Sequence, residues 1–254
     1  MNLTSNAPFC GLQNNFSEEL YHDIKTPLTI LYNNLQNLER VSDLPEQAVT
    51  YVRNAKRNWY RMAKLVHDAN DSARLIHGLM LPQMRNNDIV NAVRVLVEDA
   101  RVLTDQKRIR LIFESRVASR VMAFDRQILE RILLNLLSNA AHYSCECGEI
   151  LVALRESHEN MHISVRDYGP GIPQETDVFA RNVSDNLRGE HSGLGLFIVR
   201  ELATLTGGEV YMSRAEPGTE AVLKLPVGLT DDGMDELPVD DFFYDNMVQM
   251  ELSY

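Results

Sequence analysis

The 254-residue sequence predicts an α + α/β protein, a helical hairpin followed by an α/β sandwich with helices on one face of a mixed sheet. Three observations lead there. Two long stretches, one through Ile24, Leu28, Leu31, Leu35 and Leu38 and one from Val52 to Met80, repeat apolar residues at steps of three and four, the helical period. After Lys107 the period changes, because Ile109, Leu111 and Phe113 alternate with Arg108, Arg110 and Glu114 as strand residues do. Beyond that point helical and strand patterns alternate, separated by polar and glycine-rich patches.

Composition narrows the classes. A hydrophobic share of 44% suffices for packed cores and excludes disorder throughout. No apolar run approaches the roughly eighteen residues of a membrane span, and the start lacks a basic-then-apolar signal pattern. The expectation is a cytoplasmic protein, or a soluble piece of a longer one. Cys10, Cys145 and Cys147 form no CxxC pair, so reduced thiols are expected. Net charge is −11, but Leu229 to Tyr254 holds eight acidic residues and no Lys or Arg, leaving −3 for the rest. Without a basic stripe interleaved with aromatics, nucleic-acid binding is not expected.

The expected division is an N-terminal segment over 1–15, a helical hairpin over 16–83, a second domain over 84–228 and an acidic tail over 229–254. Asn6, Pro8, Gly11 and Asn14 make the first residues a poor helix, so helix one is placed from near Phe16 to about Val41, with Asn15 or Ser17 as cap. Ser42 to Pro45 reads as a turn. Val52, Ala55, Trp59, Met62, Val66, Ala69, Ala73, Ile76 and Met80 then form a coiled-coil seam, in which Trp59 and the methionines are core residues. A lone hairpin leaves an apolar seam uncovered, so a homodimeric four-helix bundle is expected. Leu81-Pro82 ends helix two, and Met84 to Asn87 is the expected hinge.

Asp88 can cap a third helix through Ile89, Val93, Leu96, Val97 and Ala100. Strands follow around Ile109 to Phe113 and at Val121 to Phe124, then a helix from about Asp125 to Tyr143. Ile150 to Leu154 and His162 to Val165 form a strand pair about the turn Glu156 to Asn160. His158 and His162 have the spacing of a helical metal pair but fall in that turn and strand, so no metal role is expected. The tail mixes acids with aromatics at Asp240 to Tyr244, followed by Met247, Val248, Met250 and Leu252. It reads either as a disordered terminus or as a segment that docks on a partner or covers the protein's own ligand site.

Within the first helix, Tyr21-His22-Asp23-Ile24-Lys25-Thr26-Pro27-Leu28 carries chemistry. His22, Asp23 and Thr26 fall off the apolar stripe, with His22 and Thr26 one turn apart, so an imidazole is presented to solvent beside a carboxylate. Pro27 lacks an amide hydrogen and crowds the carbonyl of Asp23, which should bend the helix there. In the second domain, Asn135 and Asn139 are one turn apart among apolar neighbours. They are either core asparagines bonded to backbone or ligands for phosphate and an oxygen-seeking magnesium ion. Asp167-Tyr168-Gly169-Pro170-Gly171 follows a strand, where a carboxylate can accept from an exocyclic amine and glycines let backbone approach a ring. Gly193-Leu194-Gly195-Leu196 opens an apolar helix running to Leu205, an arrangement that aims amides at phosphate oxygens.

HDIKTPL resembles the phospho-acceptor box of bacterial sensor histidine kinases. NLLSNAAHY, DYGPG and GLGL resemble, in order, the N box and the first and second glycine boxes of their GHKL ATP-binding fold. The resemblance covers about Phe16 to Val227. It implies that His22 accepts a phosphoryl group from ATP and that Asp23 orients or deprotonates its imidazole. It further implies that Thr26 serves removal of phosphate from the partner regulator. Asn139 would bind Mg2+ with Asn135 beside it, and His142 and Tyr143 complete the N box. Asp167 would recognise adenine in a pocket shaped by Gly169 and Gly171, with Thr219 near it. Gly193, Leu194, Gly195 and Leu196 would hold the triphosphate. The implied partners are a response-regulator receiver domain and a second copy of the chain.

Two positions depart from the pattern. His142 stands where the N box usually has Lys or Arg, so phosphate neutralisation there is expected to be weaker or pH-dependent. The lid from Ile172 to Ser192 has Phe179, Arg181 and Arg188 but not the family's frequent aromatic pair. Two rival functions keep the fold: a module that binds a regulator without kinase output, and a phosphatase-dominant regulator acting through Thr26. Only twenty-one residues precede His22, too few for a sensor domain, so the sensor is expected in a separate protein or in sequence outside this chain.

Overall fold

The computed structural model describes residues 9–144, 148–171, 179, 194–230 and 246–252, with side chains from Leu20 onward. The chain divides into two compact units between Met80 and Leu81.

The first unit is a hairpin of α1 (Phe9–Glu39) and α2 (Glu46–Ile76). The turn between them places Asp43 at φ 67. The hairpin closes on aromatics. Trp59 and Ala63 are fully buried, and Leu28, Tyr32, Leu35 and Tyr60 are buried with them, with the Tyr32 and Trp59 rings 4.4 Å apart. Trp59 donates its indole N–H to the Leu28 carbonyl at 2.7 Å, which satisfies the one polar atom of a buried indole. Burial, and then the hydrogen bond with Tyr32, push the Tyr60 phenol far above its usual range.

Three expectations shift. Helix α1 begins at Phe9 rather than near Phe16, so part of the supposed N-terminal segment is helical. Helix α2 ends at Ile76 rather than at Leu81. Gly78 adopts φ 65, its amide bonds the Leu75 carbonyl and the Leu79 amide bonds that of Arg74. That is the glycine-dependent Schellman closure of a helix. Finally, the proposed seam is not one buried stripe. Trp59 is buried, whereas Met62 and Ile76 are 43% and 50% exposed.

The second unit contains β1 (Arg85–Asp88), α3 (Ile89–Gln106), β2 (Arg110–Ser115), β3 (Val121–Phe124) and α4 (Arg126–Tyr143). It continues through β4 (Glu149–Ser157), β5 (Asn160–Asp167), α5 (Leu194–Leu205), β6 (Glu209–Arg214), β7 (Thr219–Pro226) and α6 (Met247–Leu252). The main sheet has the order β2-β4-β5-β7-β6, parallel only between β2 and β4. Its core joins Ile132, Leu133, Leu136 and Leu137 of α4 to Ile150, Leu154, Ile163 and Leu223 of the strands, none more than 1% exposed. Asp88 caps α3 as expected, accepting from the Val90 and Asn91 amides. Asp125 caps α4 by accepting from Ile128.

Met84 to Asn87, expected as the hinge, instead lies largely in β1 (Arg85–Asp88), a strand paired antiparallel with β3. The β4–β5 turn is tighter than expected, since Ser157 and Asn160 pair directly across His158-Glu159, with His158 at φ 54. The tail departs most from expectation. Its exit is clamped where Asn86 exchanges two hydrogen bonds with the Thr230 backbone, at 2.8 and 2.9 Å. Met247–Leu252 is then a helix with Met247, Met250, Glu251 and Leu252 buried, so this part of the tail is not a free terminus. Asp240 to Tyr244, and Cys145 and Cys147, lie outside the described residues.

Candidate functional site

His22, Asp23 and Thr26 are all exposed on α1. The helix runs through Pro27 without ending. Side chains serve the carbonyls around the proline: Thr26 donates to the His22 carbonyl at 3.1 Å, Thr29 to that of Lys25 at 2.9 Å and Trp59 to that of Leu28. The imidazole of His22 thus stands free of the core on a helix pinned from behind by a buried indole.

A polar layer behind the histidine was missed from sequence. The Tyr21 hydroxyl lies 3.3 Å from His67 Nδ1, and His67 Nε2 lies 3.5 Å from the Asp71 carboxylate. Asp68, Asp71 and Ser72 are buried. His67 and Asp71 share a helix face at i, i+4, a spacing visible in the sequence once α2 is placed.

In the second unit the structure brings most of the predicted patches together. Asp167 closes β5 and Thr219 opens β7 on the neighbouring strand. Both are buried, at 6% and 8% exposed. Asp167 Oδ1 accepts from the Gly169 amide at 2.9 Å and from the Thr219 amide at 3.3 Å. Both bonds fall on one oxygen, which leaves Oδ2 to accept from a ligand amine. The glycines are there because backbone passes too close for anything larger. A Cβ on Gly169 would collide with the Tyr143 carbonyl at the end of α4, and one on Gly218, at φ 99, with the backbone of Asp167.

Asn135 is 2% exposed. Its amide nitrogen donates to the Arg131 carbonyl at 2.9 Å, and its oxygen lies where a Cβ on Gly195 would approach to 2.7 Å. The start of α5 therefore rests on the asparagine of α4. Asn139, His142, Leu194, Gly195 and Leu196 are half-buried, and Tyr143 is exposed. His142 and Tyr143 meet edge to face at 5.0 Å. Gly193 lies outside the described residues, as do Arg181 and Arg188. Of the lid only Phe179 is described, and it is buried.

This arrangement fits a purine nucleotide: a buried carboxylate with an oxygen to spare, room left by glycines, and a glycine-opened helix against two amides. Asn139 offers a half-buried amide oxygen, the donor type magnesium takes alongside phosphate oxygens and water. Among the described residues no cluster of three or more His, Cys, Asp or Glu forms a metal cage. No helix among them is long and apolar enough to cross a membrane.

Known proteins agree. Residues 12–78 match the family model described as His Kinase A (phospho-acceptor) domain, and residues 124–229 match that of the histidine kinase-, DNA gyrase B-, and HSP90-like ATPase. Sensor histidine kinase YvrG of Bacillus subtilis is 29% identical, over 79% of this chain and 36% of its own length. The chain spans less than half the length of the curated relatives it matches. The crystal structure of full-length ShkA in complex with AMPPNP aligns with a TM-score of 0.70 at 25% identity, over 87% of this chain and 47% of that one. Histidine kinase ThkA, solved in complex with response regulator protein TrrA, shares the fold with a TM-score of 0.56 at 19% identity, over 85% of this chain and 62% of that one. A phospho-acceptor hairpin followed by a GHKL-type ATPase sandwich, matched in that order along one chain, makes this protein a member of the HisKA-type sensor histidine kinases.

Proposed function

We propose that this chain is an ATP-dependent protein-histidine kinase that phosphorylates His22 and passes the phosphoryl group to an aspartate of a response-regulator receiver domain. The observation that carries it is Asp167, buried at a strand end with its Oδ1 held by the Gly169 and Thr219 amides. A carboxylate desolvated in this way needs donors, and the adenine exocyclic amine supplies one to Oδ2. Tyr143 and the Gly169 and Gly171 backbone bound the ring, and Asn135 and Gly195 border the phosphates. Magnesium, when bound, neutralises phosphate charge, and Asn139 is the residue that would hold it.

At the hairpin, neutral His22 presents an unprotonated ring nitrogen to the γ-phosphorus. A nitrogen–phosphorus bond forms, the bond from the γ-phosphorus to the bridging oxygen breaks, and ADP departs with that electron pair. Asp23 takes or shares the proton of the other ring nitrogen. Beyond His22 as the nucleophile, the chain's contribution is alignment and charge placement. His22 is exposed, so a second protein can reach it, and ThkA, which shares the fold, was solved in complex with a response regulator protein.

A second activity is favoured by Thr26, exposed one turn beyond His22. Its hydroxyl can hold a water against a docked receiver's acyl phosphate. Incubation with γ-labelled ATP, then with candidate receivers, tests both readings. Wild type is expected to take label and pass it on, His22→Ala to take none, and Thr26→Ala to take label but fail to strip it from the receiver. Label on His22→Ala equal to wild type removes the proposal, and unchanged stripping by Thr26→Ala removes the phosphatase role.

A further inference from the structure

We infer that the C-terminal helix α6 is a positioning element for the nucleotide site, with Glu251 acting through Arg131 and Ser138 on the placement of Asn135 and Asn139. The inference rests on the assignment of α4 as the nucleotide-binding helix.

Helix α6 packs on α4 and also on α3. Met247, Met250 and Leu252 are 5%, 1% and 2% exposed. A purely apolar seal would need nothing more, yet this one contains an ion pair between Arg131 and Glu251, whose side chains are 6% and 0% exposed. Ser138 adds a hydrogen bond to the Glu251 backbone carbonyl at 2.7 Å. A buried ion pair adds little net stability over apolar packing, but it tolerates one register only, because a shifted helix strands a charge. Glu251 therefore fixes where α6 lies on α4.

The residues gripped are those that flank the two asparagines. Positions 131, 135, 138 and 142 follow one another at four, three and four, so they share a face of α4, and Asn139 borders it. Physical contacts continue from there. Arg131 offers its carbonyl to the Asn135 amide at 2.9 Å, and the Asn135 oxygen abuts Gly195. A line of contacts thus runs from Glu251 through Arg131 and Asn135 to the glycine turn of α5. The exit of the tail is fixed by Asn86 on Thr230, so α6 is tethered at high local concentration. Arg131 and the tail glutamate matter here as the outer shell of a ligand site does: they touch no ligand but set the groups that do.

The test uses the full chain, Glu251→Gln, and a chain ending at Thr230. Two quantities are read: the affinity for a magnesium-bound, non-hydrolysable ATP analogue, and backbone hydrogen exchange across 131–143 without nucleotide. Both variants are expected to bind the analogue roughly ten- to a hundredfold more weakly and to exchange faster across 131–143. A peptide of residues 246–254 should restore affinity to the shortened chain, and the same peptide carrying Glu251→Gln should not. Variants that melt at a lower temperature but bind the analogue as wild type does would reduce the tail to a stabiliser and overturn the inference. Tighter binding on removal of the tail would overturn it as well, by making the tail a cover over the site. A wild-type chain that binds no analogue defeats the nucleotide assignment itself, which separates the two failures.

Discussion

Asp88 ends β1 and starts α3, and one carboxylate serves both. Its Oδ1 accepts from the amides of Val90 and Asn91 and, across the strand pair, from that of Arg120, while Oδ2 accepts from the Ser119 hydroxyl at 2.8 Å. Burial opposes the charge, but the Ser119 hydroxyl and the three amides outweigh it and hold the carboxyl below its ordinary value. With a lowered folded-state value the unfolded chain takes the proton first. The stabilisation is complete above the unfolded-state pKa and is lost as pH falls through the folded-state one. Asp88→Ala should therefore cost about 1 kcal/mol at neutral pH, the worth of a helix cap. Thermal melts of the two proteins should converge in acid below the carboxylate range. A gap of constant width would show that the charge contributes nothing.

At the scale of elements, the contact that builds the site is the seat of α5 on α4. A Cβ on Gly195 would press on the end of the Asn135 side chain, which can swing aside, so Gly195→Ala should fold and melt like wild type. The displaced asparagine should nonetheless cost on the order of tenfold or more in nucleotide affinity, as misplaced ligand groups do. Unchanged affinity would separate Asn135 from the phosphate site.

Helix α4 was legible from its residues because its apolar run is long and Asp125 caps it, and β3 because Val121 to Phe124 is a compact apolar run. Strand β1 was not. Arg85-Asn86-Asn87-Asp88 has no apolar alternation, and its pairing with Val121–Phe124 is decided by tertiary structure. The end of α2 was overrun because apolar spacing continues to Met80, whereas Gly78, the residue that can take φ 65, closes the helix. Asp167, Gly169 and Thr219 each sit in a patch recognisable from sequence, and the fold joins the three through Asp167 Oδ1. Arg131 and Glu251 lie 120 positions apart, and no local pattern joins a basic residue on a helix to one acid among the tail's eight.

For the whole molecule, the hairpin leaves a broad apolar surface. Leu31, Leu38, Met62, Leu65 and Ile76 are each 43% to 50% exposed, on helices that bury other residues, Leu28, Tyr32, Leu35, Trp59 and Ala63, within the hairpin. Such a surface marks an interface, and the chain's own copy covers it in the proposed four-helix bundle. Leu31→Glu with Leu65→Glu should convert a dimer into a monomer in sedimentation while leaving nucleotide binding in place. A wild-type monomer would refute the bundle.

In the proposed mechanism the two units divide the labour: one holds ATP, and the other offers the imidazole that accepts its γ-phosphoryl group. The most direct measurement is the chemical stability and location of label after incubation with γ-labelled ATP and magnesium. Label is expected to survive base, to be lost in acid, to map to His22 and to be absent from Asn139→Ala. Acid-stable label, or label on any other residue, would contradict the mechanism.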